Sequence, residues 1–177
     1  STDTITALKQ IRALSKATIV LKLGPLGCTV LDDAIPNSMQ DFQVFQGVRV
    51  EVLNVLGAGD AFMSGFLRGW LRNESYETCT AYANACGALV VSRHGCAPAI
   101  PSEEELFYYL KNSASIPRPD QDKKLNQLHR VTTRKPASRP DICVLAFDHR
   151  KQLYDAAVAV GADPSRIKTL KRLLVKS

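Results

Sequence analysis

A chain of 177 residues that is 45% apolar, 23% charged and 7% aromatic can bury one good core or begin a second, and that composition excludes the disordered and fibrous classes. No apolar run approaches the length of a membrane span, and Ser1-Thr2-Asp3-Thr4 has neither the basic nor the apolar region of a signal peptide, so a cytoplasmic protein with no membrane partner is expected. The net charge of +6 is uneven: residues 1–110 carry 8 Lys/Arg against 11 Asp/Glu, and residues 111–177 carry 15 against 6, which confines the basicity to the carboxyl-terminal stretch.

In chain order, Ile5, Leu8, Ile11 and Leu14 lie near helical spacing and predict a helix over 4–14, feeding a buried strand at 17–21. Gly24-Pro25-Leu26-Gly27 is a turn, and with the strand Cys28-Thr29-Val30-Leu31 behind it the pair reads as a hairpin at a sheet edge. Val48-Arg49-Val50-Glu51-Val52 alternates as a half-buried strand does and runs into Gly57-Ala58-Gly59-Asp60. From Ala61 onward, Phe62, Met63, Phe66, Leu67, Trp70 and Leu71 mark an amphipathic helix, in which Gly65 and Gly69 cost propensity and imply close packing on a neighbour. Residues 76–91 predict an Ala-rich helix, and Ser102-Glu103-Glu104-Glu105 is a capping box opening a helix through Lys111.

The first 112 residues therefore read as an α/β domain. Residues 113–140 turn polar, basic and proline-bearing, which predicts an interdomain linker. Its Lys123, Lys124, Arg130, Arg134, Lys135 and Arg139 have no interleaved aromatics, which favours a solvated linker over a nucleic-acid arm. Ile142 to Phe147 reads as a strand ending at Asp148-His149-Arg150, a helix with Leu153, Ala156, Ala157 and Val160 follows, and Asp163-Pro164 caps and starts one more. Residues 141–177 thus begin a second domain. The five cysteines, Cys28, Cys79, Cys86, Cys96 and Cys143, form no CxxC pair and read as reduced thiols; Cys86, Cys96 and His94 lack ligand spacing and read as buried thiols and a loop histidine.

The run Leu53-Asn54-Val55-Leu56-Gly57-Ala58-Gly59-Asp60-Ala61-Phe62 carries the chemistry. Glycines at a strand-to-helix turn let backbone approach an anion, and the first amides of the helix are unpaired donors with partial positive charge. An aspartate at that helix start could accept the proton of an attacking hydroxyl during phosphoryl transfer. Gly-x-Gly-Asp by itself is explained at least as well by a tight turn with Asp60 favouring the helix dipole, because short glycine motifs recur by chance.

The longer context weighs against chance. Gly57-Ala58-Gly59-Asp60-Ala61-Phe62 followed by Ser64-Gly65-Phe66 resembles the second signature of the ribokinase (PfkB) family of carbohydrate kinases. Lys22-Leu23-Gly24-Pro25-Leu26-Gly27 resembles that family's hairpin near the nucleotide. Asn84 to Val91, then Gly95-Cys96-Ala97-Pro98 and Pro101, resemble its adenine-side helix and closing loop. The resemblance implies the carboxyl-terminal half of a ribokinase-like three-layer α/β/α domain and an ATP-dependent transfer, with Mg2+, to a primary hydroxyl of a sugar or sugar acid. It makes Gly57, Ala58 and Gly59 the anion hole and Asp60 the catalytic base, and it puts Lys22, Gly24, Gly27 and Asn84 along the nucleotide pocket. Taken singly, Lys22 and Asn84 read equally as a surface lysine and a helix-face amide. Many family members hold a potassium ion behind the anion hole. The resemblance carries that site onto Asn54 and the carbonyls of Leu56, Val90, Arg93, Gly95 and Ala99.

Two departures follow. Asn54-Val55 stands where the family usually has Asp-Thr, which removes a negative charge from the cation site and argues against potassium activation. The family's amino-terminal half, with its sugar-binding residues, its lid and the Asn-x-x-Glu segment that helps place magnesium, has no counterpart, so the chain reads as an internal fragment. Within the family, the Asn54-Val55 variant with Phe66-Leu67-Arg68-Gly69-Trp70-Leu71 resembles a branch that acts on a sugar acid of inositol catabolism. That branch is fused in some bacteria to a barrel similar to class I aldolases, and Val144 to Arg150 resembles the first strand of such a TIM-barrel-like domain. Asp148 and Arg150 would then face a barrel site or, equally, cap the strand. Small molecules, ATP and a sugar acid, are the expected partners, and a homo-oligomer is left open. The competing readings are a non-catalytic α/β scaffold and a basic nucleic-acid-binding protein.

Overall fold

A computed structural model describes residues 3–133 and 151–176, which fall into two compact units divided between Lys135 and Pro136. In the first, helix α1 (Thr4–Leu14) starts where Asp3 accepts the Thr6 N–H at 3.1 Å, as an N-cap should. Strand β1 (Ile19–Lys22) pairs antiparallel with β2 (Gly27–Leu31), Ile19 opposite Leu31 and Lys22 opposite Cys28, and β2 pairs antiparallel with β3 (Phe45–Gln46). A short 3-10 turn, Gly24–Leu26, closes the hairpin. At Gly27, φ is 105° and a Cβ would fall 2.0 Å from the Phe45 carbonyl oxygen, so only glycine lets β3 approach. Leu8 of α1 packs with Leu31, Ile35 and Phe42 to seal one side of the sheet.

Two long helices follow, α2 (Ala58–Trp70) and α3 (Tyr76–Val91), joined by a turn in which Asn73 is left-handed (φ 56°). The sequence expectation of close packing at Gly65 and Gly69 is met. A Cβ at Gly65 would lie 2.6 Å from the Tyr82 carbonyl oxygen, and one at Gly69 would lie 2.8 Å from Cys79 Sγ. Phe62, Phe66, Cys79 and Ala83 bury with Cys28, which fastens this helix pair to β2. Helix α4 (Glu103–Asn112) opens on the Ser102–Glu105 capping box. Arg68 ties three helices together, its guanidinium 4.9 Å from the Tyr82 ring and 4.7 Å from that of Phe107 and ion-paired with Glu103.

Three expectations are corrected. Val48 to Val52 is not a strand: Val48 and Val50 pack on the core with Arg49 and Glu51 outside, but no described strand lies alongside to form a ladder. Helix α2 begins at Ala58, three residues before the apolar spacing starts. Residues 113–133 are not a solvated linker. They hold two 3-10 turns, Ser113–Ser115 and Pro119–Gln121, and helix α5 (Lys123–Thr133), with Ile116, Pro119 and Leu125 buried. A buried ionic cluster anchors them: fully buried Glu105 takes Arg93 Nη2 at 2.6 Å, accepts the Ser102 N–H at 2.9 Å and faces His129 Nδ1 of α5 at 3.2 Å. Arg93 and Glu105 were legible only as separate charges, because their pairing depends on the tertiary fold.

In the second unit, α6 (Lys151–Ala159) and α7 (Arg166–Lys176) are described. The second helix starts two residues beyond Pro164, after a turn in which Asp163 accepts the Ser165 N–H at 2.9 Å. The strand expected at 142–147, with Cys143, Asp148 and Arg150, lies outside the described residues, as does the stretch 134–140. No helix among the described residues is long and apolar enough to cross a membrane.

Candidate active site

The glycine turn is built by conflict between backbone and side chain. Gly57 caps α2 at φ 83°, a conformation that an L side chain resists, and a Cβ there would also stand 2.8 Å from Cys96 Sγ. The loop at Gly95 and Cys96 therefore presses directly on the turn. Ala58, Gly59 and Asp60 form the first turn of the helix. The Ala58 N–H donates to the Val55 carbonyl at 3.3 Å, which takes one expected anion-hole donor into the turn itself. Among the described residues no carbonyl accepts from the N–H of Gly59 or Asp60, so those two donors remain at the positive end of α2.

Lys22, at the end of β1, reaches this point. Its Nζ would be 2.9 Å from a Cβ on Gly59 and is 5.9 Å from the Phe62 ring centroid. A cation over a helix N-terminus is electrostatically unfavourable. An anion between the ammonium and the amides removes the penalty. Asp60 is exposed one residue further on, with no side-chain partner among the described residues; its carbonyl accepts from Ser64 Oγ at 2.9 Å. The hairpin thus delivers Lys22 to the helix start, while Gly24, at φ 60° with open space around it, forms its tip.

Asn84 is brought elsewhere. It is buried, and its amide donates to the Phe45 and Gln46 carbonyls at 3.3 and 3.0 Å, pinning α3 to β3. Asn54 pins the opposite side: Nδ2 donates to the Gly95 carbonyl at 2.9 Å and Oδ1 accepts the Leu56 N–H at 3.1 Å. The Val90 carbonyl accepts the Arg93 N–H at 3.1 Å, and the Ala99 carbonyl lies 3.4 Å from Arg93 Nη1. Burial pushes the Cys28 thiol up to about 11 and the Cys86 thiol up to about 12, so both stay protonated. The four described cysteines are free thiols, and among the described residues no His, Cys, Asp or Glu cluster has a metal site's make-up. The contacts of Cys96 on Gly57 and of Lys22 on Gly59 were not legible in sequence, since each joins segments more than thirty residues apart.

A carbohydrate kinase family model, described as pfkB family carbohydrate kinase, matches residues 1–103. This chain belongs to the pfkB family of carbohydrate kinases. Residues 105–177 match a second family, described as an uncharacterized protein conserved in bacteria (DUF2090). The 5-dehydro-2-deoxygluconokinase of Listeria monocytogenes is 39% identical over 61 residues, 34% of this chain and 19% of that protein. The ATP-dependent ribose-1-phosphate kinase of Halopiger xanaduensis is 45% identical over 67 residues, 38% of this chain and 22% of that protein. The chain therefore spans about a fifth of the length of these relatives. Among solved structures, Thermotoga maritima ribokinase superposes with a TM-score of 0.54 at 23% identity, covering 63% of this chain and 35% of that one. A Vibrio cholerae fructokinase double mutant, in a fructose-, ADP- and potassium-bound form, gives 0.51 at 28% identity over 62% of this chain and 36% of that one. The fold is the ribokinase-like α/β fold expected from sequence.

Proposed function

We propose that this pfkB domain transfers the γ-phosphate of ATP to a primary hydroxyl of a sugar acid, with Asp60 as the base. One observation carries the reading: the Lys22 ammonium, two uncommitted amides and an unpaired carboxylate share the first turn of α2. The ammonium and amides would hold the phosphate oxygens and stabilise the charge that spreads over them during transfer. Asp60 takes the proton of the substrate hydroxyl, whose oxygen forms the new bond to the γ-phosphorus. The bond from phosphorus to the bridging oxygen breaks, ADP leaves with that electron pair, and Asp60 returns the proton to solvent. Mg2+ would be carried chiefly by the nucleotide's own phosphates and would supply neutralisation of their charge, since the described residues offer it no carboxylate cluster.

The substrate we infer is 5-dehydro-2-deoxygluconate. Support comes from the Asn54-Val55 variant, from the Listeria relative and from a second matched family directly after the kinase segment. A 67-residue part of the chain is also 45% identical to a ribose-1-phosphate kinase, which fits a half-site that handles the phosphate and leaves the sugar to be read elsewhere. In this reading residues 141–177 begin a barrel that cleaves the phosphorylated product.

Asp60→Asn in the full-length protein tests the assignment. ATP affinity should persist while kcat drops by about 100- to 10,000-fold, the usual contribution of a positioned base. Undiminished turnover would remove Asp60 from the mechanism. Equal rates on 5-dehydro-2-deoxygluconate, ribose 1-phosphate and fructose would reject the substrate.

A further inference from the structure

Three of the five carbonyls that could surround a monovalent cation behind the glycine turn, those of Val90, Gly95 and Ala99, are met by hydrogens of the protein itself. Asn54 Nδ2 donates to the Gly95 carbonyl at 2.9 Å, and Arg93 supplies its backbone N–H to Val90 at 3.1 Å and faces Ala99 with Nη1 at 3.4 Å. The orientation of the Asn54 amide is forced. The Leu56 N–H can only donate and the Gly95 carbonyl can only accept, so a flipped amide would lose both bonds. A cation placed here would meet an N–H proton at Gly95 and stand near the Arg93 guanidinium, and the side chain at 54 offers no negative charge. The residues present do not fit the ion.

We propose that Asn54 is a positioning residue that does internally what a monovalent cation would otherwise do. It clamps the Leu56 amide and the Gly95 loop together, and that loop presses Cys96 against Gly57, so the anion-binding turn is fixed with no ion bound. An aspartate at 54 would set a carboxylate oxygen against the Gly95 carbonyl, an arrangement that only a bridging cation relieves. The proposal rests on the kinase reading for its catalytic consequence but not for its binding consequence.

The test uses the full-length protein in KCl and in tetramethylammonium chloride at equal ionic strength, with turnover, ADP affinity and thermal unfolding measured in each. Wild type should show the same three values in both salts. Asn54→Asp should lose about 100-fold in turnover without K+, the scale of loss when a catalytic group is misplaced by an ångström, and should recover activity, ADP affinity and melting temperature as K+ is added. Wild-type ADP affinity or turnover that collapses on removing K+ would overturn the proposal, as would a folded Asn54→Asp indifferent to K+. If Asn54→Asp does not fold, Asn54→Ala decides: weakened ADP binding supports the clamp, and unchanged binding overturns it. Should the protein phosphorylate no sugar, the kinase reading fails by itself, and ADP affinity with melting temperature still decides the role of Asn54.

Discussion

Replacing Gly65 by alanine should destabilise the kinase unit, although alanine is the better helix former. A Cβ at this position would lie 2.6 Å from the Tyr82 carbonyl oxygen, 2.8 Å from its carbon and 2.9 Å from the Ala83 nitrogen. All three are backbone atoms, so no rotamer change relieves the overlap, and α3 has to move by most of an ångström. Overpacking of this kind costs about 3 kcal/mol at its upper end. The propensity gain returns about 1 kcal/mol, leaving a net loss of about 2 kcal/mol. Gly87 supplies the internal control, because a Cβ there finds nothing nearer than the Ala58 carbonyl oxygen at 3.9 Å. Gly87→Ala should therefore stabilise by about 0.5–1 kcal/mol. Trp70, the single tryptophan of the sequence, ends α2 and reports this unit, so urea midpoints followed by its fluorescence separate the two variants at equal slope. If Gly65→Ala gains stability as Gly87→Ala does, the close approach of α2 and α3 is not what holds the pair.

Gly59→Ala should behave differently from Gly65→Ala. Its Cβ would meet only the Lys22 ammonium at 2.9 Å, the mobile end of a long side chain, so stability should hold while turnover falls by about 100-fold as the ammonium is displaced from the anion; steady-state kinetics beside a melting curve read both. Arg118 hydrogen-bonds Asp120 and holds its carboxyl below the ordinary carboxylate range. The stability from that pair is therefore complete above the ordinary carboxylate value and is lost as pH falls through the lowered folded value, and Arg118→Met should flatten this acid limb of a Trp70 fluorescence titration.

Local signals carried the parts of the fold whose causes are local. Helix α1 was readable from apolar spacing, α3 from its Ala-rich run and α4 from its capping box at Ser102; in the structure Asp3 and Ser75 also each bond an amide three residues on and cap the first two. The apolar period traced α2 only from Ala61, because Ala58, Gly59 and Asp60 contribute nothing to it, and the structure starts the helix at Ala58 with Gly57 as its left-handed cap. The Val48–Val52 alternation reported correctly which side faces the core, but a strand also needs a neighbour and none is described there. Residues 113–133 misled because their apolar anchors are sparse and their polar anchor, His129, gains its meaning from Glu105 on another helix.

The same distinction explains why the glycine-aspartate motif was visible and its geometry was not. Gly57 and Gly59 break local rules within one short segment, a positive φ and a poor helix former inside a helix, and Asp60 stands beside them in the first turn. Such violations can be read directly, because a sequence that keeps them forgoes stability at that point. Lys22 breaks no rule where it stands at the end of a strand; it becomes anomalous only when the fold sets its ammonium over the positive end of α2. A cation and a helix N-terminus held face to face repel each other unless something negative comes between them. That repulsion, more than the glycine spacing, is what supports the proposal of an anion at this turn.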